Sequence, residues 1–225
     1  MMAKLYTYRF ELFLGTLLFN LFGILIFNDH FFTNYLFPIG LLLNIIAGIN
    51  LISNRKTKIL LGILFLISAC TSGYTMFSPE NINVEIIRFI FYFLFYVVIT
   101  YEIIKQIWFS TKINKDLIIG VISGYISLGL VGFFIFMSVD ILEPNSFSSP
   151  LFTEFTTNVQ KSDSLLYYSY ITLMTIGYGE IVPVTTAAQK SAILLGLMGQ
   201  FYLVIVTAVV VGKYLQNNKK IDELN

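Results

Sequence analysis

The chain has 225 residues, of which 56% are apolar and only 12% charged, with a net charge of +1 and a mean hydropathy of +0.78. That balance excludes an ordinary soluble domain and gives no electrostatic footprint for nucleic acid. The single cysteine, Cys70, excludes an intrachain disulfide. No nucleotide-binding glycine loop, metal-ligand cluster or nucleophile–base pair stands in the sequence, so neither enzyme chemistry nor a cofactor is expected.

Six stretches reach the roughly 17–25 apolar residues that cross a bilayer. They lie at 10–27, 35–52, 59–77, 86–107, 117–139 and 187–212. The first is too long for the h-region of a signal peptide and lacks a small-residue cleavage site, so it reads as an uncleaved helix. His30, in the connection after it, reads as a solvated loop residue rather than a pH sensor. The fourth span carries Arg88 near one end and Lys105 near the other, each three residues after an acid, Glu85 and Glu102. A voltage-sensing helix needs a row of cations, since one charge gains only about 2.3 kcal/mol per 100 mV. Residues 1–108 are therefore expected to form a four-helix scaffold that matches a voltage sensor in count but not in charge, followed by a linker at 109–116.

Charge placement orients these spans. Lys4 and Arg9 precede the first; Arg55, Lys56 and Lys58 follow the second; Lys105, Lys112 and Lys115 flank the fourth connection; Lys213, Lys219 and Lys220 lead the tail. The alternate connections hold Asp29, Glu80, Glu85, Asp140, Glu143, Glu154, Asp163 and Glu180. The positive-inside rule then puts both termini in the cytoplasm of a multi-pass protein of the plasma membrane.

Residues 117–213 form the second unit. A polar insert at 140–162 reads as a solvated turret whose acids concentrate cations. The apolar stretch at 163–174 is too short to span and reads as a re-entrant helix, N-capped by Ser162 or Asp163. Thr-Ile-Gly-Tyr-Gly follows at 175–179. Gly177 and Gly179 have no Cβ and can take positive φ, so successive carbonyls can turn to one side instead of alternating as in a strand.

Residues 167–185, Tyr-Tyr-Ser-Tyr-Ile-Thr-Leu-Met-Thr-Ile-Gly-Tyr-Gly-Glu-Ile-Val-Pro-Val-Thr, resemble the pore-loop signature of the tetrameric potassium channels. The resemblance extends over about 117–213 and implies an all-α transmembrane fold: six spanning helices, a re-entrant pore helix and a filter loop. With one loop per chain it implies a homotetramer set in membrane lipids. Potassium would exchange its water for carbonyl rings of Thr175, Ile176, Gly177 and Tyr178, with Gly179 above and the Thr175 hydroxyl below. Tyr178 would brace the loop from behind. No cofactor is implied beyond the permeant ion.

Tyr167 and Tyr168 match the aromatic cuff that supports such a filter, unless they are interfacial tyrosines of an aromatic belt. Three residues depart from the family pattern: Ile176 where valine is commoner, Glu180 where aspartate is usual, and Ile171 where some members carry an acid. Gly199 falls at the family's inner-helix hinge, or serves close packing as Gly196 is expected to do. By register Gln200 faces the cavity, and Leu203, Thr207 and Val211 continue that lining. The tail at 214–225 leaves no room for a fused ligand-binding domain. A potassium transporter would carry repeated pore loops, and none is found. A non-conducting subunit that needs a partner is the other alternative.

Overall fold

All five prolines fall between the long apolar runs or, for Pro38, in a first helical turn, so the runs fold as uninterrupted helices. The computed structural model describes residues 8–28, 31–77, 82–110, 114–150 and 158–222. In chain order these give α1 (Arg9–Phe22), α2 (Phe37–Leu51), α3 (Arg55–Phe77), α4 (Ile82–Phe109), α5 (Lys115–Leu142), β1 (Phe147–Ser148), α6 (Asn158–Leu173), β2 (Val182–Pro183) and α7 (Thr186–Asp222). His30, Glu80, Glu154 and the side chain of Glu85 lie outside the described residues, and with them the expected pair between Glu85 and Arg88.

Among the described residues four helices, α3, α4, α5 and α7, are long and apolar enough to cross a membrane. Two expected spans have shorter α-helical cores, 14 residues in α1 and 15 in α2. A 3-10 turn, Gly23–Leu25, prolongs α1, and a π-helical turn, Phe32–Leu36, leads into α2. The two turns meet where the Phe32 ring occupies the space a Cβ on Gly23 would need.

Lipid offers no hydrophobic drive for helix association, so contact geometry and buried polar groups decide the packing. Asn44 on α2 is fully buried and acts as the hub of the scaffold. Its amide donates to Phe13 O at 3.2 Å and Thr16 Oγ1 at 2.7 Å on α1, and its Oδ1 accepts from the Tyr96 hydroxyl on α4 at 2.9 Å. α4 also packs on α5. Phe134 is stacked between Tyr92 and Tyr96, each with its centroid 5.7 Å away. Offset aromatic pairs of this kind contribute about 0.5–1.5 kcal/mol each. The apolar residues that α4 buries include Phe89, Tyr92, Tyr96, Ile99, Ile103 and Ile107, which recur at helical spacing, and Glu102 is the one charged residue buried beside them among the described residues of the helix. The expected pair of Glu102 and Lys105 is present at 3.6 Å.

α5 holds the molecule together. It touches α1 and α4 on one side and α6 and α7 on the other. Its glycines receive large side chains from three of those partners: Gly120 lies against Phe10 of α1, Gly124 against Tyr202 of α7, Gly129 against Tyr170 of α6, and Gly132 against Leu195 of α7. Small residues at such spacing allow close helix approach without any hydrophobic force. Asn114 caps α5 by accepting from Leu117 N at 3.0 Å, and Lys115 pairs with Glu11 of α1 at 3.0 Å.

Candidate functional site

The short helix α6 begins at Asn158, earlier than the expected start at 163, so Ser162 and Asp163 lie inside it and neither is the N-cap. Polar residues in its first turns hid this extension. Lys161 there makes an ion pair with Asp140 on α5 at 2.6 Å, which ties the helix start to the end of α5. Beyond α6 the chain is clamped by a two-stranded antiparallel pairing, Phe147 opposite Pro183 and Ser148 opposite Val182. Thr185 caps α7 through Ala188 N at 3.3 Å and reaches the Ser146 hydroxyl at 3.1 Å.

Tyrosines fix the depth of α6. Tyr170 donates to Ile126 O at 2.7 Å, and Tyr125 donates to Leu173 O at 3.3 Å. Tyr202 of α7 donates to Val121 O at 2.6 Å, with its ring 5.7 Å from that of Tyr125. Tyr125 and Tyr202 carry no mark in the sequence, and Tyr170 stands out there only as one of the tyrosines of the 167–170 stretch. The signal that could have found them is the row of glycines in the fifth span, which asks for bulky partners.

The end of α6 passes directly into residues 175–179. Ile176 N donates to Ile171 O at 2.9 Å and Thr175 N to Thr172 O at 3.0 Å, the two bonds of a Schellman ending with Thr175 at the left-handed position. Thr175 has φ +57, Gly177 +59 and Gly179 +94, while Ile176 and Tyr178 have no positive φ. Glycine tolerates that conformation freely, whereas Thr175 adopts it at a cost of roughly 1–2 kcal/mol. Alternation of φ sign along a segment is the backbone pattern that lets successive carbonyls turn to one side rather than alternate as in a strand.

Around this segment the expected residues divide. The Glu180 carboxylate close to Tyr167, with some desolvation, pushes the Tyr167 phenol up to about 12. Glu180 Oε2 is buried without a partner among the described residues. Tyr168 is buried in an aromatic cluster with Phe136 at 5.1 Å and Phe147 at 5.6 Å, so its described ring partners lie on α5 and β1. Tyr178 is 73% exposed. Gly199 lies in close approach to the end of α6: a Cβ there would lie 2.5 Å from Leu173 O. Gly196, expected to pack, has nothing within 4 Å of its Cβ position. Gln200 Nε2 reaches Thr175 Oγ1 at 3.5 Å. α7 buries a narrow stripe, Leu195, Gly199, Tyr202 and Val206, and leaves Gln200, Leu203, Thr207 and Val211 exposed beside it.

Residues 121–217, just under half of the chain, match a family model described as Ion channel. No curated protein and no solved structure matches the chain. Over these residues the chain is therefore similar to an ion-channel family, and its long apolar helices fit a protein that crosses the membrane several times. The matched segment runs from early α5 to late α7 and contains every element of the site just described.

Proposed function

We propose that four copies of this chain form a potassium-selective channel that conducts passively and is not gated by voltage. The observation that carries the reading is the alternation of φ sign at Thr175, Gly177 and Gly179, directly off the end of a short helix. A cage for a dehydrated cation requires carbonyls that converge, and one segment supplies one side of it. The exposed ring of Tyr178 and the broad uncovered surface of α7 fit the remaining copies of a homotetramer. In this reading α6 is the pore helix, re-entrant from the outer face. α1 and α2 complete six spans through their 3-10 and π turns, and both termini lie in the cytoplasm of the plasma membrane. Potassium is the permeant ion, lipids surround the ring, and no cofactor or nucleic acid takes part.

The test is the reversal potential of purified protein in bilayers under biionic potassium and sodium. Wild type should reverse far from zero, on the potassium side. Tyr178→Asp, which places a flexible carboxylate beside the path, should move the reversal toward zero. A wild-type reversal near zero would overturn the reading.

A further inference from the structure

Gln200 is a polar side chain in the apolar run of α7, and the structure gives it a definite partner. The Thr175 hydroxyl donates its proton to Met174 O at 2.7 Å. Its oxygen is therefore only an acceptor toward α7, and the Gln200 amide must present its N–H₂ end, which it does at 3.5 Å. The contact is held from both sides. Thr175 is fixed by the two backbone bonds that end α6, and α7 is seated on that same turn by the approach of Gly199 to Leu173 O. Gln200 therefore stands at the inner end of the glycine segment by construction of the backbone.

We infer that Gln200 is a positioning residue for the innermost ion site, where its N–H competes with the cation for the Thr175 hydroxyl oxygen. The inference rests on the channel reading above. An acceptor that already receives an N–H is a poorer ligand for an incoming ion, which must displace that bond to use the oxygen. The consequence is a weakened innermost site. Conduction needs such sites to bind well enough to admit an ion and loosely enough to release it. Gln200 would thus favour release between the filter and the space below it.

Barium, a divalent ion of nearly potassium's size, reports on that site. It is added on the cytoplasmic side of the full-length channel in bilayers, and the dissociation constant for block is compared between variants. Gln200→Met removes the donor at similar length and should tighten block by about tenfold. Gln200→Asn withdraws the amide by one methylene and should move block in the same direction. A merely structural role for Gln200 would lower the stability of the tetramer and leave the barium constant unmoved. Unchanged or weaker block in a conducting variant would overturn the inference. Should Gln200→Met fail to assemble, Gln200→Asn decides alone. Failure of the channel reading is separately visible, as wild-type current that does not distinguish potassium from sodium.

Discussion

Thr175 breaks a local rule. The left-handed position that ends a helix normally goes to glycine, and glycine occupies the next two left-handed positions, 177 and 179. A β-branched residue kept there is a strain held at a functional site, and its hydroxyl is the feature that glycine lacks. Gly177 and Gly179 were legible in the sequence as positive-φ positions. Thr175 was not, because only the bonds from Ile176 and Thr175 back into α6 force its conformation. Gly199 was legible as special but ambiguous. With Leu173 O only 2.5 Å from its Cβ position, the close-packing reading accounts for it. Gly199→Ala should therefore destabilise the folded protein by about 1–3 kcal/mol, as overpacking does. Gly196→Ala should be neutral or slightly stabilising, since that position is open and alanine is the better helix former. Thermal melting in detergent compares the two; equal melting temperatures would restore the hinge reading for Gly199.

At the scale of elements, the sequence placed the long helices well because apolar length and proline position determine them. It misjudged the start of α6, where Gln160, Lys161 and Ser162 give no apolar period and a cross-helix ion pair with Asp140 supplies the stabilisation. It also passed over the contact between α4 and α7. No basic residue stands in the last turn of α4, and its carbonyls take a cation from elsewhere. Lys213 of α7 donates to Ile107 O at 2.6 Å and Trp108 O at 2.8 Å, where a positive charge also suits the helix dipole. This bond ties the far end of α7 to the scaffold without passing through the linker. Lys213→Met should lower the melting temperature, by about 1–3 kcal/mol of stability for a charged hydrogen bond. It should also lower open probability in bilayers, because the end of α7 is freed to swing off the scaffold toward the pore axis. Lys213→Arg should retain most of both; open probability equal to wild type in Lys213→Met would show that the tie does not hold the pore open.

Over the whole molecule, α4 occupies the place where a voltage sensor would carry its charges, and it uses its buried face to grip α5 through stacked rings. Arg88 lies over the Phe89 ring at 5.3 Å, and Lys105 is paired with Glu102 on the same helix. In the proposed channel a field across the membrane would find little charge on this helix to act on, since each elementary charge yields only about 2.3 kcal/mol per 100 mV. Open probability recorded over a wide voltage range should change little. A slope equivalent to several elementary charges per channel would contradict the proposed function.

Within the chain, α6 and its exit segment are held by Tyr125, Ile126 and Gly129 on α5, by Gly199 on α7, and by the Phe147–Pro183 pairing. If the proposed ring forms, each copy brings its own support for this segment, and assembly joins pieces that are already shaped. The proposed function then carries a genetic consequence: a chain with a damaged 175–179 segment but an intact α5, made together with the intact chain, should enter the same ring and poison its current.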